Sequence, residues 1–247
     1  MRYLILSDVH GNLEALHAVL AHANDAGWDH LLVLGDLIGY GADPNAVVVT
    51  IRDIAPRAIV RGNHDKVGAG LEPAAGFNPS ARAAITWTRH SLTPEVMDWL
   101  SALPMGPLTV DDVCVICHGA PFDEDEYLED NRDFRRASTH VTAPVCFFGH
   151  THVPVAWQGA NGQTRLLWPS REAEAQVVDV RTGGWLINPG AVGQPRDGDA
   201  RASYAIFDAA RGEVTLARVP YDVQTAQEKI RRAGLPERLA LRLALGQ

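Results

Sequence analysis

Side chains that can bind metal ions recur along the first 152 residues of the sequence, each shortly after an apolar run. They are Asp8, His10, Asp36, Asn63, His118, His150 and His152. Carboxylate and amide oxygens together with imidazole nitrogens suit divalent ions such as Mn, Fe, Co, Ni or Zn. Seven such groups are too many for one tetrahedral site, whereas two ions that share a carboxylate would use them all. Each motif alone is more typical of a turn or a helix cap, so the prediction of a two-metal centre depends on their combination.

The apolar runs before these groups are expected to be buried strands. They cover residues 3–6, 31–34, 58–60, 113–116 and 145–148, and helical patterns over residues 12–26 and 45–54 separate the first three. Alternation of strand and helix predicts a parallel sheet with helices on its faces, in which ligands gather outside the carboxyl ends of the strands. The predicted ligands should therefore meet at one edge.

The rest of the chain shows a different texture. We expect a helical cover at about residues 71–103, in two pieces over 80–92 and 95–103, and a helical segment at about 223–245 that Gly234 and Pro236 interrupt. Short β-type runs over residues 164–168, 175–180, 184–187, 203–208 and 214–219 predict a second, mostly antiparallel sheet. With no obvious linker, residues 1–247 are predicted to form a single domain.

The bulk properties limit the partners. A formal net charge of -8 argues against stable binding to nucleic acid or to an anionic membrane. No signal peptide or membrane-spanning run is apparent, and three cysteines cannot all pair, so a cytoplasmic protein with reduced thiols is expected. A small phosphorylated substrate is the predicted partner, and a homo-oligomer is an open alternative.

The stretch Cys114-Val115-Ile116-Cys117-His118 has the spacing of a c-type haem attachment site. It lies in an apolar, β-branched run that is typical of a buried strand, and haem attachment suits an exported protein. We therefore expect the two cysteines to be core residues.

The five motifs, Asp8-x-His10, Gly35-Asp36, Gly62-Asn63-His64-Asp65, His118-Gly119 and Gly149-His150-x-His152, resemble those of the calcineurin-like metallophosphoesterases. The chain is most similar to small prokaryotic members related to diadenosine tetraphosphatase and phosphodiesterase-like proteins. The resemblance implies an α/β fold, a four-layer α/β/β/α sandwich with two mixed sheets.

The resemblance also implies roles for the motif residues. One ion would be held by Asp8, His10, Asp36 and His152, and the other by Asp36, Asn63, His118 and His150. The cofactors would be two divalent transition-metal ions, with Mn as the first choice and Fe, Co, Ni or Zn as alternatives. A hydroxide that bridges the ions would attack a small phosphate ester, plausibly a nucleotide monoester or diester. His64 would be the catalytic residue that hydrogen-bonds or protonates the leaving oxygen.

One departure from the wider superfamily limits the substrate. Protein serine/threonine phosphatases carry Gly-Asp-x-x-Asp-Arg-Gly at the second motif, whereas this chain has Gly35-Asp36-Leu37-Ile38-Gly39-Tyr40-Gly41. The Asp that orients the catalytic His and the phosphate-binding Arg are both absent, which argues against protein phosphatase activity. Arg61 and Arg196 are the predicted substitutes for the phosphate-binding charge.

Two other functions remain as alternatives. The fold also serves as a non-catalytic scaffold or protein-interaction module, although His64 and every predicted ligand are retained here. A structural zinc site is disfavoured because such sites are usually rich in Cys. The acidic stretch at residues 123–126 is predicted to be a solvated loop.

Overall fold

The computed structural model describes residues 1–160 and 163–247. Its strands are β1 Arg2–Leu6, β2 His30–Val33, β3 Ala58–Ile59, β4 Leu108–Val110, β5 Cys114–Ile116, β6 Val145–Phe147, β7 Val155–Ala160, β8 Gln163–Leu167, β9 Ala175–Asp179, β10 Trp185–Asn188, β11 Ala202–Asp208 and β12 Glu213–Val219. Its helices are α1 Leu13–Ala26, α2 Pro44–Ile54, α3 Asn63–Gly68, α4 Pro79–Ser91, α5 Pro94–Ser101, α6 Asn131–Ser138, α7 Val223–Arg232 and α8 Glu237–Leu243.

The strands form two sheets, each with six strands in the described residues. The first sheet has the order β3-β2-β1-β11-β12-β9, and the second has the order β4-β5-β6-β10-β7-β8. Strands β1, β2 and β3 are parallel, while β11 runs antiparallel to β1. In the second sheet β5, β6 and β10 are parallel, while β7 is antiparallel to β10. Both sheets are mixed, as predicted.

Alternate side chains of the central strands enter different cores. In β1, Tyr3 and Ile5 join the apolar layer between the sheets, while Leu4 and Leu6 pack with α1 and α2 on the outer face. Phe134 of α6 covers the outer face of the second sheet. Strands buried on both faces read as continuous apolar runs, which is why they were visible in the sequence. The layers are those of an α/β/β/α sandwich.

The prediction that the strands after His152 form the second sheet is wrong. Strands β9, β11 and β12 complete the first sheet, and only β7, β8 and β10 join the second. Because β1 is buried on both faces, its backbone N–H and C=O groups need hydrogen-bond partners at both edges. Strand β2 supplies them at one edge and β11 at the other. Four elements were not predicted, namely β4, β7, α3 and α6, and each of them has at most eight residues.

The remaining predictions concern the helices and the cysteines. Helices α4 and α5 lie within the predicted cover, and α7 and α8 lie within the predicted C-terminal segment. Cys114 lies between the sheets, and Cys117 and Cys146 lie beneath α6, all three free and buried. Among the described helices, none is both long enough and apolar enough to cross a bilayer.

Candidate metal centre

The predicted ligands lie where strands end, at the edge that the two sheets share. Asp8 and His10 follow β1, Asp36 follows β2, and Asn63 begins α3 after β3. From the second sheet, His118 follows β5, and His150 and His152 follow β6. The centre is therefore assembled from both sheets.

Five of these residues adopt left-handed backbone conformations that are unusual for residues other than glycine. The φ angles are 55° for Asp8, 50° for His10, 55° for Asp36, 68° for His150 and 60° for His152. Such conformations cost about 1–3 kcal/mol each and persist only where the surroundings impose them. Here hydrogen bonds link the loops, as from the Asp8 N–H to the Gly35 carbonyl (3.1 Å) and from the His10 N–H to the Asp36 carbonyl (2.9 Å). The backbone thus orients the side chains inward at a cost in stability.

The first group of converging side chains comprises Asp8, His10, Asp36 and His152, all buried. Nε2 of His10 lies 3.1 Å from Nε2 of His152, and Nε2 of His152 lies 3.2 Å from Oδ1 of Asp8. Within the described residues, that Asp8 oxygen is buried without a hydrogen-bond partner. A buried carboxylate oxygen that faces imidazole lone pairs fits a cation between them.

The second group comprises Asp36, His118 and His150, with Asn63 beside them. Nε2 of His118 lies 3.1 Å from Nδ1 of His150 and 3.3 Å from Oδ1 of Asn63. Oδ2 of Asp36 lies 3.5 Å from Nε2 of His10 and 3.5 Å from Nε2 of His118. Asp36 therefore belongs to both groups, in the position of a bridge.

The outer nitrogen of each imidazole faces a backbone carbonyl. Nδ1 of His10 lies 3.0 Å from the Ile38 oxygen, Nδ1 of His118 lies 2.8 Å from that of Leu34, and Nδ1 of His152 lies 2.6 Å from that of Gln194. Nε2 of His150 lies 3.1 Å from the Asp125 oxygen. A carbonyl can only accept, so each outer nitrogen carries the proton and each inner nitrogen presents a lone pair. All four histidines are in the tautomer that binds a metal.

The electrostatics keep most of these imidazoles neutral. Burial lowers the pKa of His10 and His150 well below the usual value, and burial with the charge of Arg196 lowers the pKa of His152 to about 4. For His118, burial acts in the same direction, but the carboxylates of Asp36 and Asp8 outweigh it and raise the pKa. Burial likewise raises the pKa of Asp36. Neutral imidazoles with clustered carboxylates form a donor set that a divalent cation would complete.

The His64 ring belongs to neither group, although the residue is adjacent to Asn63 in the chain. Its ring lies against Tyr40 and Phe77, with centroid separations of 4.5 Å and 4.6 Å, and 4.8 Å from His10. Its backbone N–H donates to Oδ1 of Asp36 (2.8 Å). Among the described residues, Nδ1 of His64 is buried with no hydrogen-bond partner. Aromatic packing against Tyr40 and Phe77 holds this ring in place.

Asp65 organises the loops around the centre, a role that the sequence did not indicate. Its carboxylate accepts from the N–H groups of Asp36 (2.7 Å), Leu37 (2.9 Å) and Gly62 (3.0 Å). It thereby joins the loop after β2 to the start of α3. The signal was available, because Asp65 belongs to the motif Gly62-Asn63-His64-Asp65 and is too polar to be buried without partners.

Arg61 and the acidic stretch do not lie as predicted. Arg61 donates twice to Glu124, at 3.0 Å and 2.9 Å, and Lys66 contacts the same carboxylate at 3.2 Å. The Glu124 side chain is only 8% exposed, whereas Asp123 and Asp125 are exposed, so the prediction of a solvated loop holds for part of the stretch but not for Glu124. Its Asp125 carbonyl instead positions His150. The ion pair occupies the guanidinium of Arg61, which argues against its predicted role with substrate.

A cavity of about 310 Å³ opens above the metal ligands. Its walls include Asn63, His64, Phe77, Tyr127, His150 and Arg196. Tyr127 stacks on His150 with a centroid separation of 3.8 Å. Four of the predicted ligands, together with His64 and Arg196, thus line one cavity, which is large enough for a small organic ester.

Comparisons with known proteins agree with this geometry. The model of the calcineurin-like phosphoesterase superfamily domain matches residues 1–212. An uncharacterized protein of Methanocaldococcus jannaschii, MJ0912, is 35% identical over 254 residues, which cover 98% of this chain and 97% of that protein. The crystal structure of a metallophosphoesterase from Sphaerobacter thermophilus aligns with a TM-score of 0.89 and 41% identity over 100% of both chains. The hypothetical protein PH1004 from Pyrococcus horikoshii shares the fold, with a TM-score of 0.78 and 19% identity over 100% of this chain and 98% of that one. The chain belongs to the calcineurin-like phosphoesterase superfamily.

Proposed function

We propose that the protein is a metal-dependent phosphoesterase that hydrolyses a small phosphate ester, such as a nucleotide monoester or diester, at a two-metal centre. The observation that carries the proposal is the position of Asp36, whose Oδ2 lies 3.5 Å from a histidine of each group. One carboxylate shared between two sets of imidazoles is the arrangement that a pair of ions needs.

Each of the two groups of converging side chains would hold one ion. Asp8, His10 and His152 would hold one ion, Asn63, His118 and His150 would hold the other, and Asp36 would bridge them. Mn is our first choice, because mixed oxygen and nitrogen donors suit it, with Fe, Co, Ni and Zn as alternatives. When bound, two such ions would supply a nucleophilic water and neutralise charge on the phosphate.

The side chains above the ligands would handle the ester. His64 lines the cavity next to the ligands and would donate a hydrogen bond to the leaving oxygen. Arg196 lines the same cavity and would supply positive charge beside the phosphate. Asp65 acts only through the loops it joins, so it is a positioning residue.

An open cavity above a complete ligand set favours an enzyme over a scaffold. A protein-interaction module would have no need to bury six of the seven polar ligands, five of them in strained backbone. The cavity reaches His64 and the inner faces of His150 and His152 directly. Substrate access to these groups is what catalysis requires.

The test uses metal-stripped and reconstituted protein with 4-nitrophenyl phosphate and bis(4-nitrophenyl) phosphate. Stripping should abolish hydrolysis, and Mn, Co or Ni should restore it with about two ions per chain by elemental analysis. The ratio of the two rates would decide between monoester and diester preference. Full activity in verified metal-free protein would refute the proposal.

A further inference from the structure

A second cavity adjoins the one above the metal ligands. It has a volume of about 200 Å³ and shares four lining residues with the larger cavity, which are Tyr40, Asn78, Tyr127 and Arg196. Beyond these it is lined by Ser80, Leu239, Arg238 and Arg242. The two cavities are therefore neighbours, and Arg196 lines both of them.

Three guanidinium groups face this second cavity, and none of them pairs with an Asp or Glu side chain of the described residues. They belong to Arg196, Arg238 and Arg242, and the nearby acids Glu237 and Asp197 pair with other arginines. Arg196 donates to Oε1 of Gln194 (3.2 Å), and its Nε is buried without a partner among the described residues. Arg242 donates through Nε to the backbone oxygen of Gln247. Their remaining N–H groups are available to a ligand.

The fold holds the charges together. Arg238 and Arg242 are four residues apart on α8, so they project from one face of the helix. Leu239 and Leu243 of the same helix are buried against Ile230 and Ala226 of α7. Burial, followed by the charges of Arg196 and Arg238, lowers the pKa of Arg242 to about 10. The like charges repel one another, and an anion bound between them would relieve that repulsion.

Acidic residues line a part of the larger cavity that the second cavity does not share. Glu72 and Asp125 line it there, with Lys66 between them already paired to both. An anionic group that extends from the metal ligands would be repelled there and attracted towards α8. The charge distribution thus sets a direction for the substrate.

We infer that the substrate carries a second phosphate group, which Arg238 and Arg242 bind, with Arg196 lining both cavities, while the ester to be cleaved lies at the metal ligands. This inference rests on the proposed function. A guanidinium presents paired N–H groups that match phosphate oxygens, and three around one cavity suit a phosphate dianion. The second phosphate is recognised and left intact.

Binding tests the arginines without catalysis. Pyrophosphate is titrated calorimetrically into metal-free protein, in the native form and in the double variant Arg238→Gln/Arg242→Gln. Loss of two charge-assisted contacts should weaken binding by about 10–10²-fold. The matched control is Arg231→Gln/Arg232→Gln on α7, which removes two positive charges that pair with Glu237 and Glu228. Equal weakening in both double variants would reveal only a general charge effect and would overturn the inference.

Kinetics of the metal-loaded protein test the substrate class. Alkanediol bisphosphates of increasing chain length are compared with alkyl monophosphates of the same length. Native protein should prefer the bisphosphate at a matching length by roughly 10²-fold in kcat/KM, mostly through KM. The Arg238→Gln/Arg242→Gln variant should lose that preference, while the α7 control should keep it.

The outcomes separate the two claims. Hydrolysis of both series without any preference would overturn the inference and leave the proposed function intact. No hydrolysis of either series, or of 4-nitrophenyl phosphate, would refute the proposed function, while pyrophosphate binding would still report on the arginines. Thermal unfolding of both double variants checks that α8 remains folded.

Discussion

Gly39 lies directly against the imidazole of His64. A Cβ at residue 39 would overlap Nδ1 of that ring, and the φ angle of Gly39 is 89°, a conformation that disfavours any other residue. Residue 39 is the position at which protein phosphatases of the superfamily carry the Asp that orients the catalytic His. Here the ring fills the space that such a side chain would need. His64 is therefore oriented by its packing against the tilted rings of Tyr40 and Phe77.

Removing the imidazole should separate catalysis from metal binding. His64→Ala should keep both ions, because no ligand is lost, yet lower kcat by roughly 10²–10⁴-fold. The loss should be smaller for esters of nitrophenol, which depart without help from a donor. Elemental analysis and steady-state kinetics across leaving groups measure both effects. Loss of an ion together with unchanged activity at saturating metal would show that His64 is a ligand.

Asn63 should behave in the opposite way. Its Oδ1 faces Nε2 of His118 at 3.3 Å, so Asn63→Ala removes one ligand of the second ion. The affinity for that ion should fall by about 10–100-fold, and activity should recover in part at high metal concentration. Calorimetric titration of the metal measures the affinity. A loss of rate that excess metal does not restore would contradict this assignment.

Phe77→Ala tests the aromatic support of His64. Without the ring at 4.6 Å, the imidazole gains rotational freedom, and kcat should fall by about tenfold. In a His64→Ala background, Phe77→Ala should cause no further loss of kcat, because both substitutions impair the same catalytic group. Phe122→Ala, which removes a half-buried ring that stacks on His140, is the matched control. Additive losses from Phe77→Ala and His64→Ala would contradict the link between them.

The pH dependence follows from the environment of His64. Burial, and next the charge of Arg196, lower the pKa of His64 well below its usual value, and bound cations would lower it further. The ring is then already neutral at about pH 6, so raising the pH to about 8 removes no proton from it. We expect kcat/KM not to fall over that range on account of His64, which acts as a neutral hydrogen-bond donor. A fall above about pH 6.5 that is absent in His64→Gln would instead identify a protonated acid.

The meeting of the candidate ligands at one edge could be predicted because each of them follows a strand whose apolar run is visible without knowledge of its neighbours. Asp8 and His10 after residues 3–6 are an example, and the fold class followed from the same runs. Sheet membership could not be predicted, since β1 pairs with β11 about 200 residues later and nothing local in residues 202–208 distinguishes the two sheets. Separation along the sequence also explains why the ion pair of Arg61 was not predicted, since its partner Glu124 is 63 residues away. In the sequence alone, Arg238 and Arg242 have the spacing of an ordinary solvated helix face. Only the folded structure shows that they line a cavity together with Arg196.

The candidate ligands come from both sheets, so metal binding should affect how the protein unfolds. Asp8, His10 and Asp36 belong to the first sheet, His118, His150 and His152 to the second, and apolar side chains fill the layer between them. Bound ions would act as cross-links that clamp the two sheets at one edge. Release of the ions would let the sheets slide and separate there, so metal loss should accelerate unfolding from that edge as well as stop catalysis.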